Sequence, residues 1–202
     1  MTTHKILVAY TTNAGTTTQA AQAVSEGLSS NGVQVEVRRL EEVTDLSPYT
    51  AVVIGAPMIM GWHRAATKFI KQHRDALSRV PVAYFFMARS LTQTGETQVE
   101  GVPLIIDPKL SQPPQQADRL SYRERYATVG NYLRPVLKAT PQVKPVSAGF
   151  FGGRLDLHRL KLWQKLFVLF IIQAQPGGSI NLQFIREWAA NLCTTLLAGK
   201  VT

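Results

Sequence analysis

Three short runs in this chain are apolar at almost every position: Lys5–Tyr10 (KILVAY), 51–55 (AVVIG) and 82–87, which follows Pro81. A strand of that composition belongs where helices cover both faces of a sheet, because neither of its sides can meet water. The windows between the runs have helical spacing. Residues 16–30 place Ala20, Ala23, Val24 and Leu28 on one face, and 64–79 do the same with Ala65, Phe69, Ile70, Ala76 and Leu77. Asn31-Gly32 then reads as a helix C-cap. Val33, Val35 and Val37 alternate with Gln34, Glu36 and Arg38, which marks a strand with one wetter face at the outside of the sheet. Parallel strands need crossover helices, and these cross right-handed, so the alternation predicts a doubly wound α/β sheet.

The rest of the chain extends the same pattern and interrupts it twice. Residues 118–138 read as a helix carrying Leu120, Tyr126, Val129, Tyr132 and Leu133; 143–151 supply a fifth strand leaving through Gly152-Gly153, and 180–197 a closing amphipathic helix. The expectation is one domain over residues 1–202, with a five-stranded parallel sheet in the order 2-1-3-4-5. The first interruption is 89–117. Pro103, Pro108, Pro113 and Pro114 with five glutamines exclude a long helix there. This excursion after strand four is either a surface insertion or a lid over the site. The second interruption is an extra helix over 155–174, basic at its start and apolar over 166–172, which Pro176-Gly177-Gly178 ends.

Twenty-two Lys and Arg against 13 Asp and Glu leave a net charge of +9 and favour anionic partners. The cations are scattered rather than interleaved with aromatics on strands, so nucleic acid is not among the expected partners. The single cysteine, Cys193, excludes an intrachain disulfide and any cysteine-based metal centre, reads as a small buried apolar residue, and points to a reducing cytoplasmic setting. Met1-Thr2-Thr3-His4 runs straight into strand one without a signal-like stretch, so no export is expected. His4, His73 and His158 lack the spacing of metal ligands, and no metal site is predicted.

The chemistry is expected in the turn after strand one, Thr11-Thr12-Asn13-Ala14-Gly15-Thr16-Thr17. A phosphate monoester needs several converging N–H and O–H donors, and a hydroxyl-rich turn at a helix N-terminus supplies them together with the helix dipole. Gly15 permits a backbone path that a side chain would obstruct. No Lys or Arg lies in the turn, which suits a phosphate held by hydrogen bonds alone. The turn matches neither the triphosphate loop G-x-x-x-x-G-K-[ST] nor the dinucleotide pattern G-x-G-x-x-G. By itself it also reads as an ordinary hydroxyl-rich helix start. Its position adds weight to the phosphate reading, because the order 2-1-3-4-5 has its switch point between strands one and three. Strand three delivers Pro57, Met58, Ile59, Met60, Gly61 and Trp62 to the same place. This loop can cover a flat ring, with Trp62 as a stacking face or as plain packing, and with Met58 and Met60 as polarizable contacts. His63, directly before the helix, sits near the ring or in solvent.

At these residues the chain resembles a known group. YTTNAGTTTQAA, AVVIGAPMIMGWHRAATKFIKQH, SAGFFGGRLDLHRLKLWQKL and FIREWA resemble the flavodoxin-like family, and within it the menaquinone-dependent protoporphyrinogen oxidase subgroup, over nearly the whole chain. Flavodoxin is itself a worked instance of the 2-1-3-4-5 order. The resemblance implies FMN as cofactor. It implies a phosphate held by Thr12, Asn13, Gly15, Thr16 and Thr17, an isoalloxazine bordered by 57–62, and its far edge formed by Met87, Ala88, Arg89, Ser90 and Leu91. Ala14 departs from the Thr or acidic residue that relatives carry there. The implied activity removes hydrogen from a tetrapyrrole and passes electrons to a membrane quinone.

A quinone partner makes the 155–174 segment a candidate surface helix. Arg154, Arg159, Lys161 and Lys165 can meet anionic head groups at about 1 kcal/mol each, beside Leu155, Leu157, Leu160, Leu162, Trp163, Leu166 and Phe167. The apolar run is too short to span a bilayer. Burial in the core, or an interface in a homo-oligomer, competes with a peripheral place on the inner face of the cell membrane. Three other functions stay open: an FMN-dependent quinone or NAD(P)H reductase, a flavodoxin-like electron carrier, and an FMN-free adaptor for a membrane or partner. Carriers are usually acidic, and +9 weighs against that one.

Overall fold

The computed structural model describes residues 4–13, 15–30, 32–58, 61–116, 119–153 and 180–198. The expected helix over 155–174, with Arg154, Arg159, Lys161 and Lys165, lies outside them, as do Ala14, Ile59 and Met60.

The apolar runs become β1 (Lys5–Tyr10), β3 (Ala51–Pro57) and β4 (Val82–Ala88), the last two buried along their whole length. β2 (Gln34–Arg39) is half exposed, as its alternation predicts, and sits at the sheet edge. With β9 (Ser147–Gly152), these strands pair in parallel in the order β2-β1-β3-β4-β9. The expected five-stranded order is present. One helical layer consists of α1 (Thr16–Ser29) and α6 (Leu182–Leu197), packed on Ile6, Val8, Val53 and Phe85. The other consists of α2 (Arg64–Gln72), α3 (Arg74–Leu77), α4 (Tyr122–Tyr126) and α5 (Val129–Ala139). Phe69, Ile70, Leu133 and Val136 from this layer join Leu7, Ile54, Phe86 and Phe150 of the sheet. Each large apolar side chain buried here contributes about 1.5–3 kcal/mol.

Two helices expected to be continuous are each split. Residues 64–79 break at His73, between α2 and α3. The 118–138 window breaks at Ala127 and Thr128, where the Ala127 carbonyl accepts the Thr92 N–H at 2.7 Å and Thr128 Oγ1 caps α5 by accepting from Asn131 N. Ser121 and Glu124 form a reciprocal cap at the start of α4. At this second break local caps and one long-range hydrogen bond outweigh the apolar spacing, each cap being worth about 1 kcal/mol.

The excursion after β4 adds strands to the sheet. β5 (Leu91–Thr92) pairs with β8 (Ser111–Gln112), which ties the beginning of the excursion to its end. β6 (Gln98–Val99) and β7 (Val102–Ile106) form a hairpin around Glu100 and Gly101, both at positive φ, and β7 lies parallel to β9, so the main sheet has seven strands. Pro103 is tolerated because β7 has only this short hairpin beyond it, and Pro103 faces outward beside Gln98. Asp107 completes the attachment. Its N–H donates to the Phe150 carbonyl, and its buried Oδ1 accepts from Lys109 N at 3.0 Å and Asn181 Nδ2 at 3.3 Å. Asn181 in turn caps α6 by accepting from Phe184 N. The excursion is thereby fastened both to the sheet and to the last helix.

Candidate functional site

Three chain segments leave the sheet at the C-terminal ends of β1, β3 and β4, and the strand register brings them side by side. Thr11 N–H donates to the Gly55 carbonyl at 3.0 Å, which extends β1 alongside β3, and Met58 N–H donates to the Met87 carbonyl at 2.9 Å, which extends β3 alongside β4. Gly55 is required within this junction, since a Cβ there would stand 1.8 Å from the Phe85 ring.

The first segment is the turn. Thr12 Oγ1 accepts from Gly15 N at 2.9 Å and closes it, and a hydroxyl that accepts one bond keeps a proton with which it can donate another. Gly15, at φ 85°, is the N-cap of α1, and the Gly15 carbonyl accepts from Thr18 N and Gln19 N. A glycine cap brings no side-chain acceptor of its own, and no acidic residue stands in the first turn. Thr17 is buried, Thr12 and Thr16 are half-buried, and Asn13 is exposed. A helix start with a glycine N-cap, without a carboxylate in its first turn and beside threonine hydroxyls has the chemistry that suits an anion.

The second segment is held as a tight loop. Met58 and Trp62 form an antiparallel bridge, His63 N–H donates to the Pro57 carbonyl at 3.1 Å, and Gly61 takes φ 103°. Of the stacking face and the plain packing that its sequence position allows, Trp62 shows packing, against the aromatic side chains of β4. It is 7% exposed, with its ring centroid 5.1 Å from that of Tyr84 and 4.8 Å from that of Phe86. The aromatic side chains of β4 draw the indole into the core, where it anchors the loop, and its Nε1 proton finds no hydrogen-bond partner among the described residues. His63 is half-buried and is tied to its helix. Its Nδ1 accepts from Ala65 N as the N-cap of α2, and burial lowers its pKa, outweighing the attraction of Glu41. A neutral ring suits that accepting role.

The third segment supplies Met87 and Ala88 from the end of β4, then Arg89, Ser90 and Leu91. Ala88 accepts from Gly153 N at 2.8 Å, and Leu91 N–H donates to the Leu110 carbonyl, so the excursion stiffens this edge. Arg89 is half-buried, and burial lowers its pKa while leaving the guanidinium charged. Sequence reasoning missed the support that 91–92 and 111–112 give this segment. The alternation of Val102, Leu104 and Ile106 past a Glu-Gly turn was the available signal. Cys193 is buried on α6, where burial raises its thiol pKa and makes it a packing residue.

No described helix is long and apolar enough to cross a membrane. Among solved structures, the chain is similar to a flavodoxin from the domain Archaea at 12% identity, with 96% of this chain and 99% of that one covered and a TM-score of 0.49. It is similar to Megasphaera elsdenii flavodoxin at 12% identity, with 92% and 98% covered and a TM-score of 0.49. For the flavodoxin-type WrbA-like protein of Agrobacterium tumefaciens the values are 13%, 96%, 98% and 0.47. No curated protein matches the chain. The flavodoxin-domain family model matches residues 7–179, most of the chain, so this chain belongs to the flavodoxin family.

Proposed function

We propose that this protein binds FMN at the C-terminal edge of β1, β3 and β4 and transfers electrons through it. The observation that carries the reading is the start of α1: a glycine cap, no carboxylate in the first turn and three threonines around it. These residues fit a phosphate monoester, because amides and hydroxyls can satisfy its oxygens without a cation. Thr12, Asn13, Gly15, Thr16 and Thr17 hold the phosphate. The 57–62 loop, anchored by Trp62, borders one side of the flavin ring, and Met87, Ala88, Arg89, Ser90 and Leu91 border its far edge. When bound, FMN supplies one- and two-electron redox chemistry, and the protein supplies position and electrostatics.

An electron-transfer protein is the reading that membership of the family favours. The narrower reading, a tetrapyrrole oxidase that passes electrons to a quinone, rests on the resemblance of SAGFFGGRLDLHRLKLWQKL and its neighbours to that subgroup. Titrating FMN into the protein tests the common core. Quenching of flavin fluorescence with saturable 1:1 stoichiometry is expected, and unquenched flavin at excess protein would remove the proposal. Growth of porphyrin fluorescence from protoporphyrinogen, dependent on added menaquinone, separates the oxidase from a carrier.

A further inference from the structure

The positive charge divides unequally between the two helical layers. α2 and α3 carry Arg64, Lys68, Lys71 and Arg74 against Asp75, while α1 carries only Glu26, and α6 carries Arg186 and Glu187. On the cationic side several charges are already paired: Arg74 with Asp75 and Arg134 with Glu96, both at 3.5 Å. Arg64, Lys68 and Lys71 are not. They are exposed and have no ion pair or hydrogen bond among the described residues. Spaced i, i+4 and i+7, they share one face of α2, where like charges cost a few tenths of a kcal/mol per pair. With Trp62, Thr67 and Gln72 they line an open groove of about 450 Å³. Its near end touches the 57–62 loop, because α2 begins directly after it. The phosphate turn contains no cation, so this stripe is not part of the cofactor cradle.

We propose that this groove is the docking surface for an acidic protein partner, which it guides to the flavin edge beside the 57–62 loop. This rests on the FMN reading for its redox purpose and on the groove alone for the docking. A groove lined by the largely buried Trp62 together with three long cationic side chains, two of them lysines, combines apolar and charged surface as a protein interface does. Unpaired cations steer an acidic surface and set its orientation. A bilayer fits less well. Interfacial binding needs exposed large apolar side chains for insertion, and those exposed among the described residues are Ile105 and Tyr122, neither of them on α2.

The test uses the full-length FMN-loaded protein, labelled with nitrogen-15 and titrated at low ionic strength with poly-L-glutamate as the acidic probe. Amide shifts concentrated on Arg64–Gln72 are expected. Lys68→Glu/Lys71→Glu should weaken binding at least about tenfold, a change of about 1.4 kcal/mol, and leave FMN affinity unchanged. Lys68→Arg/Lys71→Arg should retain binding. Shifts centred on α4 and α5, or weakening no greater than that from reversing Arg123 and Arg125, would overturn the proposal. So would equal shifts from inorganic phosphate, which would make the ligand a small anion. Charge-dependent binding to phosphatidylglycerol vesicles without binding to polyglutamate would overturn it in favour of a membrane. If no FMN is taken up while polyglutamate still shifts Arg64–Gln72, the docking surface stands and the cofactor reading falls.

Discussion

The two helical layers of this molecule are specified by different physics. On the α1 and α6 side, the helices touch through backbone: a Cβ on Gly27 would lie 2.4 Å from the Arg186 carbonyl oxygen and 2.8 Å from Ala189 Cβ. The charges of that layer are few, and Glu26 and Arg186 spend themselves on each other at 2.5 Å. On the α2 to α5 side, large side chains fill the space. Phe86 stacks on Phe150 with centroids 4.6 Å apart, Trp62 lies against both Tyr84 and Phe86, and the outer surface carries cations in excess. The first layer is a close-packed backing whose helix α1 starts at the glycine cap of the proposed phosphate turn. The second presents charge to whatever approaches from outside.

The comparison breaks most visibly at Gly27. Gly27→Leu must push α6 off α1, since the obstruction is backbone and cannot rotate away. The expected loss is on the order of 5 kcal/mol, comparable with the whole stability of a domain. Chemical denaturation reads it, and a variant of near wild-type midpoint would show that the two helices do not approach so closely. Across the sheet, the equivalent test is Trp62. Trp62→Ala should cost about 3–5 kcal/mol as a cavity under the loop. Trp62→Phe keeps most of the packing and removes a buried donor without a partner, so its change should stay within about 1 kcal/mol. If Trp62→Phe instead kept stability but lost FMN quenching, the indole would be a wall of the cofactor site rather than an anchor.

These contrasts show what was legible beforehand. The runs of Lys5–Tyr10 and 51–55 declared buried parallel strands because nothing but two-sided burial explains them, and Val33, Val35 and Val37 declared the edge. The turn at Thr12 to Thr17 was legible because its chemistry is contiguous in sequence. The seventh-strand topology was not. Pro103 and Pro108 argue against a strand locally, and only the pairing of Leu104 with Ala148, more than forty residues away, makes 102–106 one. Trp62 left two readings open for the same reason: sequence shows that it follows strand three, while Tyr84 and Phe86, on another strand, decide where the ring packs. The break at Ala127 depends on the Thr128 cap and on Thr92, the latter outside the helical window.

A smaller effect sharpens the role of α1. Gly15→Ala places a side chain at φ 85°, where the left-handed backbone costs about 1–2 kcal/mol, yet no atom lies within 4 Å of the added Cβ. The penalty is therefore conformational alone. FMN affinity should fall by a similar free energy, roughly tenfold, as the turn relaxes away from the anion. Gly15→Ala with unchanged stability and unchanged quenching would mean that the left-handed cap is unnecessary to the cradle.

The least effect belongs to Glu36, on the edge strand β2. It takes Lys5 Nζ at 2.7 Å, the Tyr49 hydroxyl at 2.8 Å and Arg38, and these partners, Lys5 foremost, hold its carboxyl at about 2 instead of the ordinary 4.5. A depressed acid pKa means that the unfolded chain binds the proton more readily, so the pairing stabilises the fold fully above pH 4.5 and fades as pH falls toward 2. Glu36→Gln should therefore cost about 1 kcal/mol or less at neutral pH, as expected for a partly exposed ion-pair network, and nothing near pH 2. Denaturation midpoints of wild type and variant should converge across that window and diverge less at high salt. A difference independent of pH would assign the contribution of Glu36 to strand packing. The contrast between a carboxylate already spent on β2 and the unspent cations of α2 would then lose one of its two terms.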